Sequence, residues 1–398
     1  MTSATVPNAS KSTQAWPFPQ SRRVGSTVYV GLQTTTQPAR LEAGKIHDQT
    51  HHAFSALVGE LEKHGASMKE LTKLHTYYVY QGEGRDVTDY WEDMTSVRLK
   101  YLADPGPAAT ALRTKGVWSD GALIGVDGIA ELEGQRIRIM PEHAWDWSIP
   151  TPFSQGWLVG DRVYVGGQIS ADRAGKAVAP GEVGPQTVNT MAYIHSVLKD
   201  AGADWADVLT LKVAYQHSGD EEQAKQTLDA ILAEVNQIFP EHRPVLVAFG
   251  VDLLYEGLLL EIDATAIKGG QRQPLRPADY QNWADARSGF TPGWKTGNDI
   301  FIGGLSAPGA ASLEAQTEAT MSRVSQVLAA GGGDYSDLVK LNVYVSTDDA
   351  AQLRQVASIL DGFLTPGKTV VSILRVAGLP WPGQRIQIDG LAVLNQPN

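Results

Sequence analysis

The sequence contains no cysteine, so disulfides, thiolate metal centres and thiol nucleophiles are excluded together. Basic residues are in deficit. Lys and Arg number 33 against 44 Asp and Glu, a formal charge of −11. A general nucleic-acid binder needs a basic face to release phosphate counterions, so no nucleic-acid partner is expected. Long apolar runs are missing too. None approaches the roughly eighteen residues that a membrane helix needs, so no membrane partner is expected. Met1 to Ala15 is rich in Ser, Thr and Ala without the apolar stretch of a signal peptide. It reads as a short disordered tail, and the default compartment is the cytoplasm. No P-loop, no G-x-G-x-x-G between strand and helix and no G-x-S-x-G elbow occurs, and no cofactor is expected.

What is present is enough apolar residue, 42% of 398, to fill the cores of two or three domains. Three segments align. Val24-Gly25-Ser26-Thr27-Val28-Tyr29-Val30-Gly31-Leu32-Gln33, Val159-Gly160-Asp161-Arg162-Val163-Tyr164-Val165-Gly166-Gly167-Gln168 and Thr296-Gly297-Asn298-Asp299-Ile300-Phe301-Ile302-Gly303-Gly304-Leu305 are each a turn followed by a β-rich strand. A Gln-Thr pair follows in each (Gln49-Thr50, Gln186-Thr187, Gln316-Thr317), opening a helix. The helices carry apolar stripes at spacings of three and four: Phe54, Leu57, Leu61; Met191, Ile194, Leu198; Met321, Val324, Leu328. Gly65, Gly202 and Gly331 to Gly333 read as their stops. Further strands are predicted at 71–79, 208–215 and 338–345. Each unit closes on an alternating strand in which Asp127, Asp263 and Asp389 share one register. The predicted domains are 16–140, 141–270 and 271–398, with linkers read near Glu133 to Ile149 and Lys268 to Ala286.

The order of markers, three times over, resembles the RidA/YjgF family. The resemblance implies an α+β fold. It comprises three tandem chorismate-mutase-like domains forming a pseudo-threefold ring, with helices outside a central β-barrel. The family's homotrimer would be made covalent, and the protein would be a monomeric pseudo-trimer or a dimer of it. The implied partner is a small-molecule substrate. The implied activity is hydrolysis of imines or enamines in clefts between units. There an Arg grips a carboxylate, a Glu places water, and a Ser and a Tyr line the wall.

Carried onto this chain, the Arg position falls at Ala109, Leu246 and Val371, all apolar. The lost charge-assisted pair is worth about 1.5–3 kcal/mol. The Ser position holds Gly31, Gly166 and Gly303. The Tyr position holds Phe18, Phe153 and Phe290. The Glu position holds Gly125, Glu261 and Gln387, so only the second unit keeps the acid. Glu261 is therefore the first catalytic candidate, and His75, on a predicted strand, the second. Arg113 and Arg375, four residues past the empty Arg slot, are candidate anion holders. Phe18, Phe153, Phe290 and Gln168 are candidate cleft-lining residues. The recurring Asp is read as structural, capping a turn or pairing with Lys or Arg near the axis. His47 and His51 are four apart, but His47 is expected before the helix, and no metal site is assigned.

The expected function is a hydrolase or deaminase acting on the C–N bond of a bulkier, non-standard substrate in specialised metabolism, by imine or enamine hydrolysis or a related rearrangement. Two alternatives share the architecture. One is a chorismatase-like or cyanuric-acid-hydrolase-like enzyme, and the other a non-catalytic ligand-binding or stress protein.

Overall fold

The computed structural model describes residues 16–43, 45–80, 82, 85–142, 150–240 and 243–394. The expected N-terminal tail lies outside them, as does part of the first predicted linker. The first repeat holds β1 (Ser21–Val24), β2 (Thr27–Thr34), α1 (Pro38–Ala43), α2 (Ile46–Glu62), β3 (Leu71–Tyr78), α3 (Arg85–Arg98), β4 (Ala108–Arg113), β5 (Gly116–Val117) and β6 (Ile124–Glu131). The second has β7 (Arg136–Ile139), β8 (Gly156–Val159), β9 (Arg162–Gln168), α4 (Val183–Asp200), β10 (Val208–Gln216), α5 (Glu221–Ile238), β11 (Val245–Val251) and β12 (Leu260–Ile267). The third has β13 (Arg272–Leu275), β14 (Gly293–Thr296), β15 (Asp299–Leu305), α6 (Leu313–Gly331), β16 (Leu338–Val345), α7 (Ala350–Phe363), β17 (Val370–Arg375) and β18 (Ile386–Val393).

The described strands form three open sheets rather than one closed central barrel, which corrects that part of the expectation. Each sheet runs from a hairpin to the last strand of its repeat, then to the strand after the long helix, then to a parallel neighbour. The predicted helical stripes are all buried. Spacing of three and four puts them on the face that meets the sheet, where each Leu contributes about 1.5–3 kcal/mol. The stops hold as well: Gly65, Gly202 and Gly332 adopt φ of 76°, 69° and 84°, a region costly for any residue with a Cβ. His47 lies inside α2, not before it.

The Gln-Thr marker is structural. The buried Gln49, Gln186 and Gln316 accept from the backbone N–H of Leu123, Leu259 and Arg385, just ahead of the closing strand. Their amides donate to carbonyls of Gly121, Gly257 and Gly383. Each Gln thus ties its helix to its last strand. The Thr hydroxyl bonds the carbonyl four residues back in the helix.

The repeats meet pairwise through their strands. β5 leaves the first repeat and pairs with β17 of the third, and β7 joins the second sheet through β8. Lys115 N–H bonds Arg375 O, Asp252 N–H bonds Arg113 O, and Ala377 N–H bonds Gly250 O. These three contacts occupy matching positions at the first–third, first–second and second–third interfaces. One apolar cluster draws Tyr77 and Leu112 from the first repeat, Val247 and Phe249 from the second, and Tyr344 and Leu374 from the third.

Candidate functional site

Glu261 sits on β12 with its neighbours Leu260 and Ile262 in the helix-side core, so strand alternation turns its carboxyl to the other face. There it meets the first repeat and accepts the backbone N–H of Ala111 on β4. Burial pushes its pKa up to about 8. The Ala111 N–H opposes the shift, Asp263 adds to it, and Lys73 opposes it. The carboxyl lies against Gly167, where a Cβ would collide with it. At the floor, Gly166 packs on Ala109: a Cβ there would stand 3.0 Å from Ala109 O and 3.2 Å from Ala109 N. Glycine in the Ser slot lets two backbones close up, so no polar side chain reaches that point.

The other two interfaces vary this geometry. Gln387 lies over Gly304 and accepts from Ala248 N–H at 3.1 Å, the same reach with an amide in place of the acid. A small cavity of about 30 Å³ opens beside it, lined by Leu246, Phe290, Gly304, Trp381 and Asp285 among others. At Gly125 the space is taken by Leu32 and Val117, and the glycine has no side chain to exchange a proton.

Sequence reasoning missed Asp285. It lies in a short helical turn within the segment read as a linker. Its carboxylate accepts from Ser306 N–H at 3.0 Å, Ser306 Oγ at 2.6 Å and Trp381 Nε1 at 3.1 Å. Burial raises its pKa against these donors. The only available signal was an acid amid aromatics.

The recurring Asp residues meet at a buried polar network. Asp127 binds His75 Nδ1 at 2.9 Å, Lys340 at 3.1 Å and Ser372 Oγ at 3.0 Å. Asp263 binds Lys73 at 3.0 Å, His75 Nε2 at 3.1 Å and Thr110 Oγ1 at 2.9 Å. Burial raises both carboxyls. Lys340 and His75 at Asp127, and Lys73 and His75 at Asp263, outweigh it and hold them well below the usual range. Asp389 accepts from Asn342 Nδ2 at 2.9 Å. Both ring nitrogens of His75 are thus bound by carboxylates.

The remaining candidates are placed as follows. Arg113 Nε and Nη2 donate to the carbonyls of Tyr80 and Gly82 at 2.8 and 2.7 Å, and Asp252 stands 3.5 Å away. Arg375 lies over Gly116, with Nη1 at 3.4 Å from Asp348 O. Gln168 turns its amide to Gly166 O at 3.0 Å. Phe18 is buried in the core of the third repeat and Phe290 in that of the second. Phe153 is buried, and its carbonyl accepts from Arg138. His51 bonds Tyr101 Oη at 2.6 Å.

This interface geometry can be set beside known proteins. The family model described as Endoribonuclease L-PSP matches residues 148–268 and 282–394, more than half of the chain. The chain belongs to this family, the RidA/YjgF proteins. The matched segments are the second and third repeats, and the first repeats their strand order. The 2-iminobutanoate/2-iminopropanoate deaminase of Capra hircus is 30% identical over 118 residues, 30% of this chain and 81% of that protein. A RutC family protein of Pyrococcus abyssi is 29% identical over 121 residues, 29% of this chain and 87% of its own. Among solved structures, a chorismatase aligns at 18% identity and TM-score 0.45 over 62% of this chain and 78% of its own. A YjgF family member from Mycobacterium tuberculosis aligns at 20% identity and TM-score 0.28, over 31% of this chain and all of its own.

Proposed function

We propose that this RidA/YjgF protein is a hydrolase acting on the C–N bond of an imine or enamine, with Glu261 as its acid/base. The supporting observation is a single buried carboxyl whose pKa, about 8, lies near neutrality, at an interface between repeats. Such a group gives and recovers a proton at pH 7. The protonated carboxyl hands its proton to the imine nitrogen as water adds to the carbon. The carboxylate then takes the proton from the added water, and the carbinolamine collapses to a carbonyl compound and ammonia. The relatives named as deaminases agree in reaction class.

In this reading the domains are those predicted, 16–140, 141–270 and 271–398, except that β7 (Arg136–Ile139) belongs with the second, and they are arranged as a pseudo-threefold ring with non-equivalent interfaces. The contacts from first to second, second to third and third to first repeat support it. His75 belongs to the polar network rather than to the chemistry. Arg375, whose buried Nε has no hydrogen-bond partner among the described residues, is the better anion holder of the two arginines. Phe18, Phe153 and Phe290 serve as apolar walls.

Ala109, Leu246 and Val371 favour a bulky substrate without a carboxylate at the old Arg slot, of the kind made in specialised metabolism. The test is ammonia release from imines formed in situ. Aromatic imines from an amine oxidase are expected to be accelerated at least about tenfold more than 2-iminopropanoate, the rate equivalent of one lost charge-assisted pair. A preference for 2-iminopropanoate would overturn the assignment of the Arg slot.

A further inference from the structure

The second–third interface is built unlike the other two. Strand register places Thr210 where Lys73 and Lys340 stand, and Val247 where Thr110 and Ser372 stand. Asp389 therefore lacks counterparts of the lysine and hydroxyl that hold Asp263 and Asp127, and Lys212 acts on it electrostatically. Further out, Gly250 replaces Arg113 and Arg375 and bonds Gly378 of the third repeat. The His217 ring packs on both glycines: a Cβ on Gly250 would come 2.6 Å from His217 Cβ.

Beyond this point the interface opens into a cavity of about 360 Å³. Tyr215 and His217 line it, and burial lowers the pKa of His217 and favours its neutral form. The wall from the second repeat carries Glu221 and Glu222, in the first turn of α5. The wall from the third carries Arg385 and Trp381. Arg385 donates to the neutral Gln352 at 2.9 Å. Among the described residues it has no carboxylate within 4.0 Å, and neither glutamate has a cation within that distance. Lys225 also lines the second-repeat wall and acts electrostatically on Glu222, and Glu314 acts on Arg385 from outside the cavity. The second-repeat wall, with two glutamates to one lysine, still carries net negative charge opposite Arg385, beside an indole.

We propose that this outer cavity binds a dipolar ligand, a free α-amino acid with an apolar side chain. The ammonium group faces Glu221 and Glu222, the carboxylate meets Arg385, and the side chain lies on Trp381. None of the positions that carry the deaminase chemistry of the family lines it, and the site stands apart from Glu261. A monopole satisfies only one wall and leaves the other charge unanswered, which is why both ends of the ligand are needed.

The experiment is calorimetric titration of the intact chain with L-phenylalanine, phenylalaninamide and N-acetylphenylalanine. Its readout is binding, so it does not depend on the hydrolase reading. L-Phenylalanine is expected to bind saturably, with both derivatives weaker by roughly ten- to a hundredfold, the equivalent of one charge-assisted contact. Arg385→Gln should weaken L-phenylalanine by a similar factor and leave phenylalaninamide little changed. Glu221→Gln/Glu222→Gln should do so while leaving N-acetylphenylalanine little changed. Unaltered thermal melting checks that the variants fold. Absence of saturable binding up to about 10 mM would overturn the proposal, since a weaker constant falls below a specific site. So would binding indifferent to either set of variants, or equal binding of the three compounds.

Discussion

Replacing Lys340 by methionine removes a buried cation and keeps most of its bulk. Lys340 Nζ stands 3.1 Å from Asp127 Oδ2, and both side chains are buried. At an effective dielectric near 20 their attraction is about 5 kcal/mol. Breaking one side of a buried pair costs about 3–5 kcal/mol, because the carboxylate is left without its counter-charge. His75 and Ser372 still hold Asp127, so the lower end, about 3 kcal/mol, is expected. Urea unfolding followed by tryptophan fluorescence measures this, with Asp127→Asn and the double variant completing a cycle. The double variant should cost clearly less than the sum of the singles.

The pH dependence of the same pair has a fixed sign. Asp127's folded pKa lies below its unfolded value, so its contribution is full above about pH 4 and is lost as pH falls further. Lys340→Met should blunt that acid loss. A change of less than about 0.5 kcal/mol, the size of an ordinary surface substitution, would refute the buried-pair argument.

Glu261 makes an opposite pH prediction. Its folded pKa is raised to about 8, so the folded state holds a proton that the unfolded state has released, and stability falls as pH rises from about 4.5 towards 8. Glu261→Gln should flatten that slope, seen in melting temperature against pH. Gly167→Ala should keep the fold but displace the Glu261 carboxyl, because the new methyl occupies its place. The rate should drop by about tenfold or more, as misplacement of a catalytic group does. An unchanged rate with unchanged stability would show that the carboxyl does not act from that position.

Local structure followed from the residues. The stripe Phe54, Leu57, Leu61 and its two counterparts could only be helical faces, and the glycines after them mark the ends that the structure shows. The turn–strand pattern around Val28, Val163 and Ile300 likewise became β2, β9 and β15. What the residues could not tell was which neighbour each face meets. Period two places Glu261 and Asp263 on one side of a strand, but nothing local says that Ala111 and Lys73 of another repeat lie opposite. For the same reason His75 read as a cleft residue, though two carboxylates over fifty residues away bind both its nitrogens. β5 is too short to declare that it serves a sheet other than its own repeat's. Asp285 stayed hidden because its partners, Ser306 and Trp381, are distant in sequence.

The central claim is that Glu261 supplies the acid/base group. Glu261→Gln keeps size and hydrogen-bonding atoms and removes the exchangeable proton. General acid–base groups contribute about 10²–10⁴-fold, so kcat for imine hydrolysis should fall by roughly that factor. Thermal melting at neutral pH should show a folded protein, and Gln387→Ala should be mild by comparison. Near-full activity of Glu261→Gln would contradict the account.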